Sequence, residues 1–265
     1  MSVGMPPAPL VLEVPAGDTS VPRLELAEWA TRFGLVAGIT TRAGGFSLGL
    51  WNDEPTGQVM TRWHSFRKAF EPRFPTVVLG NQVHGSELRW HEAVPPGWLV
   101  LDGVDGHITR QPGVLLTVTV ADCVPVYLAA PGSGLVALLH AGWRGIADGI
   151  LEQAVTTIGT TANLHHRDIV MHCGVSICGN CYEVGSEVAE RLSGRLDGVP
   201  THVDLRSILA ARAATLGVGA VTVSAYCTAH HHDRFYSHRA SQGRDGRLVA
   251  YLGRPRPEEV LLGSA

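Results

Sequence analysis

Between residues 113 and 140 the chain reads GVLLTVTV, then VPVYLAA, then LVALLH, broken only by ADC and PGSG. Apolar runs this short and this continuous read as strands buried on both faces, so they must lie in the interior of whatever fold forms. Around them the elements are mixed. LVAGIT (35–40), TVVLG (76–80), ELRW, DIVMHCG and AVTVSAYC are strand-like. VPRLELAEWATRFG reads as a helix ending at Gly34, residues 52–75 hold helical segments, and YEVGSEVAERLSG reads as a helix. From Ile146 the apolar positions Ile150, Leu151, Ala154, Val155 and Ile158 recur at helical spacing. DLRSILAARAATLG starts at a capping Asp204 and stops at Gly217. Residues 91–106 read as an irregular loop. Without regular βα alternation, a Rossmann fold or TIM barrel is disfavoured against one α+β domain. That domain is expected over 23–265, behind a lead-in or edge strand at 1–22.

Composition removes several function classes. Hydrophobic residues make up 45% and charged residues 17%, a globular balance. A net charge of −3 without any Lys/Arg run gives no nucleic-acid-binding face. No stretch of about 18 apolar residues occurs, which argues against a membrane span. The N-terminal residues do not read as a signal peptide, and five cysteines are an odd number. A reduced, cytoplasmic protein is expected, as a monomer or weak homodimer.

Chemistry concentrates at strand ends. In LLHAGWRGIADGI, His140 closes a buried strand and a helix begins within about one turn of it. Open sheets bind ligands at that end, and helix starts favour anions. Arg144 adds a planar cation suited to phosphate or carboxylate, and Trp143 a surface for a planar ring. Cys123 lies between two apolar strands, beside Asp122, whose charge is expected to raise the thiol pKa unless a metal deprotonates it. His84 follows a strand in NQVHG. Two histidines and one cysteine at three strand ends can converge on zinc and leave a fourth position open. The alternative uses Cys123 as nucleophile and His140 as base in a cysteine hydrolase or amidase, with cell-wall precursors as candidate substrates and metal binding incidental.

Other cysteines offer rival sites. Cys173, Cys178 and Cys181 are spaced C-x4-C-x2-C, as in plant-type ferredoxins, with Cys227 as a distant fourth ligand. This is a poor cluster-binding loop, because Cys173 ends a strand and Cys181 leads into a helix. CTAHHHD offers Cys227, His230 or His232 to a metal, but reads better as an exposed polar loop.

Taken in order, TTRAGGFSLG, NQVHG, TVADCVPVYL, HAGWRGIADGI, CYEVGSEV and DRFYSHR resemble the bacterial YfiH family, once called laccase-like or polyphenol oxidase. The resemblance runs from about Leu35 to Leu252. It implies an α+β fold (an α/β/β/α layered sandwich), a single domain of mixed sheets with flanking helices. It implies a zinc-dependent purine nucleoside phosphorylase with the ion held by His84, Cys123 and His140. Members cleave adenosine, inosine, guanosine and methylthioadenosine with phosphate, and some deaminate adenosine. The partners are then nucleoside and phosphate. Arg42 and Arg144 match the phosphate contacts, while Gln82, Trp143 and Tyr182 fall in motifs expected to face substrate. Asp122 and Glu183 are candidate bases for deamination. Two departures stand out: Val175 replaces a usual proline, and residues 51–67 follow the family pattern only loosely. A multicopper oxidase needs several His-x-His pairs and usually an axial methionine. The chain has one His-x-His, inside the triplet 230–232, and four methionines, so that chemistry is not supported.

Overall fold

The computed structural model describes residues 7–18, 20–193 and 201–257. Its strands form two seven-stranded sheets. The first runs β1 (Leu10–Val11), β15 (Ala220–Ser224), β12 (Val170–Cys173), β10 (Val124–Ala130), β11 (Leu135–Ala141), β8 (Gly106–Thr109) and β6 (Leu88–His91). The second runs β2 (Val14–Pro15), β3 (Arg23–Glu25), β4 (Val36–Thr40), β16 (Leu248–Gly253), β9 (Val114–Val120), β5 (Thr76–Asn81) and β7 (Gly97–Asp102). A short pair, β13 (Glu183–Val184) and β14 (Thr201–His202), stands apart. The helices are α1 (Ala27–Phe33), α2 (Thr56–Phe70), α3 (Trp143–Ala147), α4 (Ile150–Ala162), α5 (Ser186–Ser193) and α6 (Leu205–Thr215).

Alternation along each strand feeds three cores, and so sets the layers. Val124, Val126 and Leu128 of β10 and Leu135, Ala137 and Leu139 of β11 pack under α4 and α6. Their neighbours Tyr127, Ala129, Val136 and Leu138 point the other way, against Leu116, Val118, Ala250 and Leu252 of the second sheet. Beyond that sheet, Leu115, Val249 and Tyr251 meet Trp63, Phe66 and Phe70 of α2. The order is therefore helix, sheet, sheet, helix, and the central strands β9, β10 and β11 are covered on both faces. That is why the 113–140 runs stay apolar although β10 pairs antiparallel with β11 and β9 with β16. Buried Tyr127 bridges the sheets by donating its hydroxyl to the Gly38 carbonyl at 2.8 Å.

Three differences from the sequence reading have local causes. Residues 91–106 are not all loop: 97–102 form β7, parallel to β5, an edge strand too exposed to show an apolar run. Strand β16 has no counterpart in that reading, yet pairs with both β4 and β9 at the centre of its sheet. The helix from Ile146 onward is two helices, because Gly149 adopts a left-handed φ of 81° between α3 and α4.

Candidate metal centre and substrate cleft

Cys123 lies in the crossover from β9 of one sheet to β10 of the other, His140 lies near the end of β11, and His84 follows β5. Their ligand atoms lie within 4.8 Å of one another, and the two imidazoles meet edge to face at 4.8 Å between centroids. The trio is thus brought together from both sheets. Both loops carry backbone strain to do so, with φ of 61° at His84 and 86° at Asp122.

The glycines of HAGWRG answer to space. A Cβ on Gly142 would sit 3.1 Å from the Cys123 sulfur and 3.2 Å from the His84 ring. One on Gly145 would meet the Gly85 carbonyl oxygen at 2.5 Å, so α3 packs directly on the His84 loop.

Asp105, fully buried immediately before β8, organises the trio and has no counterpart in the sequence reading. Its carboxylate accepts from the His140 ring Nδ1 at 2.8 Å and from the backbone N–H groups of Val83, His84 and Gly85 at 3.1, 3.0 and 2.9 Å. Burial opposes its charge, but the His140 bond and these amides hold the carboxyl below its ordinary range. Where a histidine binds a metal, a carboxylate on Nδ1 of this kind orients the ring and leaves Nε2 free to coordinate. Burial works to raise the Cys123 thiol and to lower His140. Their mutual attraction, with His84 and Asp105, prevails: Cys123 falls to about 6 and His140 rises to about 9. The expected upward push from Asp122 does not set the direction; its carboxylate accepts from the Thr228 hydroxyl and the Arg239 backbone N–H.

The trio faces a cleft of about 430 Å³. Trp143, Arg144 and Tyr182 line it, with Arg144 stacked 4.4 Å from the Trp143 ring. Gln82 lines it too, but both ends of its amide bond Thr119 of β9. Arg42 does not line it: its guanidinium donates to the His232 carbonyl, lies 3.5 Å from Asp245 and covers Tyr236. The additional cations are Arg239, 5.1 Å over the Tyr182 ring, and Arg247. Arg239 belongs to the DRFYSHR motif, whereas nothing local distinguishes Arg247 from other surface arginines. Of residues 51–67, Trp51 and Asn52 reach the cleft; Trp63 and Phe66 are core. Glu183 is exposed on β13 and does not line the cleft.

Cys173 is excluded from the ferredoxin-like set: it is fully buried under α6, and burial pushes its thiol up to about 12. His232 pairs with Asp245 instead of a cysteine. Among the described residues no helix is long and apolar enough to cross a membrane.

A family model described as "Multi-copper polyphenol oxidoreductase laccase" matches residues 36–255. The chain is 35% identical over 251 residues to the Geobacillus stearothermophilus protein named purine nucleoside phosphorylase YlmD, covering 83% of this chain and 90% of that one. It is 36% identical over 238 residues to a Deinococcus radiodurans purine nucleoside phosphorylase, covering 83% and 89%. The crystal structure of YlmD from Geobacillus stearothermophilus superposes with a TM-score of 0.83 over 92% of this chain and all of that one, at 29% identity. A Bacillus licheniformis YfiH structure shares the fold at 0.81, over 89% and 97% of the two chains and at 24% identity. With the family model matching residues 36–255 and relatives 35% and 36% identical over most of the chain, this chain belongs to the laccase-like YfiH family.

Proposed function

We propose that the protein is a zinc-dependent purine nucleoside phosphorylase, with zinc held by His84, Cys123 and His140. The observation that carries this reading is the cleft itself, where a His₂Cys donor set faces several arginines and three aromatic side chains, Trp51, Trp143 and Tyr182. Tetrahedral zinc places neighbouring donors about 3.3–3.8 Å apart, and the trio's ligand atoms all lie within 4.8 Å of one another. Gly142 leaves the room, and Asp105 fixes one imidazole. Zinc bound there would act as a Lewis acid toward a substrate oxygen.

Phosphorolysis sets a phosphate oxygen against the anomeric carbon of the nucleoside while charge develops on the departing purine. Arg144, Arg239 and Arg247 supply fixed positive charge for the phosphate. Trp143 and Tyr182 offer faces for a purine, and the Tyr182 phenol, pushed up to about 12 by burial, stays protonated and can donate to the leaving base. With Asp122 engaged elsewhere and Glu183 away from the cleft, neither supports hydrolytic deamination. His₂Cys is also a blue-copper donor set, but no methionine lines the cleft.

A second reading has its own support, because Cys123, His140 and Asp105 form a Cys–His–Asp chain with a depressed thiol. A metal displaces the very protons that such a hydrolase uses. Purified, metal-quantified protein incubated with adenosine separates the two. Adenine and ribose 1-phosphate formed only with phosphate, and abolished by a chelator, are expected. A zinc-loaded sample without turnover overturns the phosphorylase, and turnover unaffected by chelation moves the assignment to the thiol hydrolase.

A further inference from the structure

A second set of metal-ligating side chains lies outside the trio. Cys178, Cys181, Cys227 and His230 bring three sulfurs and an imidazole nitrogen within 4.8 Å of one another. The His230 ring lies between two of the thiols, with Nδ1 3.6 Å from Cys178 and Nε2 3.3 Å from Cys181. The Cys178 backbone N–H donates to the Cys227 sulfur at 3.3 Å, and the Ala229 and His230 amides point at the same atom. Two segments 46 or more residues apart are thus sewn together, through a bridge between Ser176 and Cys227 and a bond from the Thr228 N–H to the Ser176 carbonyl at 3.1 Å.

We propose that these four residues form a closed structural zinc site, separate from the catalytic trio. Four protein donors leave no open position, which is the mark of a structural rather than a catalytic zinc. Each thiol gives its proton to solvent on binding, and one nitrogen of His230 completes the tetrahedron once the exposed ring turns its other nitrogen away from the second thiol. Donor size decides against an iron–sulfur cluster. A cluster interposes irons and sulfides between its thiolates and spreads them farther apart, whereas about 3.8 Å between sulfurs suits one tetrahedral zinc.

The location gives the ion a task. Cys178 and Cys181 bracket the turn at 179–181, between Ile177 and Tyr182 on the cleft wall. Thr228, next to Cys227, holds Asp122, the neighbour of Cys123. The ion ties the wall of the cleft to the segment that steadies Cys123. This site does not depend on the phosphorylase reading.

Metal content tests it. Chain purified under reducing conditions without added metal is expected to hold two zinc ions, Cys178→Ser with Cys181→Ser one, and Cys123→Ser one. In the Cys123→Ser chain a chelator is expected to lower Tm by about 5 °C or more, and Co(II) to give a sulfur-to-metal charge-transfer band. His230→Gln, a change on an exposed ring, serves if the cysteine variants do not fold, and it too should lose or weaken the second ion. One zinc in the wild type that vanishes with Cys123→Ser overturns the proposal. So does stoichiometric iron with sulfide, or a Cys178–Cys181 disulfide in the reduced protein.

Discussion

His140 and Asp105 are joined twice, by the His140 backbone N–H to the Asp105 carbonyl at 2.7 Å and by the ring Nδ1 to the carboxylate at 2.8 Å. The same carboxylate gathers the backbone of the His84 loop. One buried side chain therefore positions two of the three proposed ligands. Asp105→Asn removes the charge that orients His140 and presents an amide donor to three N–H groups. It is expected to weaken zinc binding roughly 10- to 100-fold, measured by competition with a chromophoric chelator. Unchanged affinity would remove Asp105 from the site.

Gly142→Ala tests the space around the trio. The residue has an ordinary φ of −77°, so the change brings no backbone penalty, only a methyl against Cys123 and His84. Metal affinity is expected to fall while thermal stability of the metal-free chain changes by less than about 1 kcal/mol. Equal losses in both would mean that the glycine serves the fold.

The arginines separate geometry from family pattern. Arg144→Ala is expected to raise the KM for phosphate roughly tenfold or more, the loss of a charged hydrogen bond to an anion. Arg42→Ala, outside the cleft and paired with Asp245 and His232, is expected to alter stability and leave that KM within about twofold. Steady-state kinetics with phosphate varied checks both. The reverse ranking would return the phosphate site to Arg42.

Acid stability follows from a buried histidine pair. His91 Nε2 and His107 Nδ1 lie 3.1 Å apart, and burial pushes the two rings down to about 4 and about 3. Unfolded, they take protons near their ordinary 6.5. Below that pH the unfolded chain binds protons that the folded chain does not, so stability falls as pH drops from 6.5 toward 4. The slope is up to about 1.4 kcal/mol per pH unit for each histidine. Denaturant titrations across this range should show a shallower acid limb after His91→Leu with His107→Leu. An unchanged slope assigns acid lability to other groups.

Sequence by itself settled what local pattern records. Continuous apolar runs at 113–140 demanded strands covered on both faces, helical spacing after Ile146 placed the covering helices, and Asp204 capped α6 through bonds from the Arg206 and Ser207 amides. His84, Cys123 and His140 stood out because each polar group followed an apolar run. Tertiary structure decided what depends on register between distant strands. Asp105 looks like a loop residue in GVDGH, and becomes the organiser only because β8 pairs with β11 and brings it under His140. Cys178 and Cys181 share a ferredoxin-like spacing with Cys173, but strand geometry sends Cys173 into the core and brings buried Cys227 and exposed His230 beside the other two. Arg42 and Arg247 are alike as residues; a nearby Asp245 carboxylate engages the first, and only the second reaches the cleft. Burial leaves a periodic trace along the chain, whereas the meeting of side chains from separate strands leaves none.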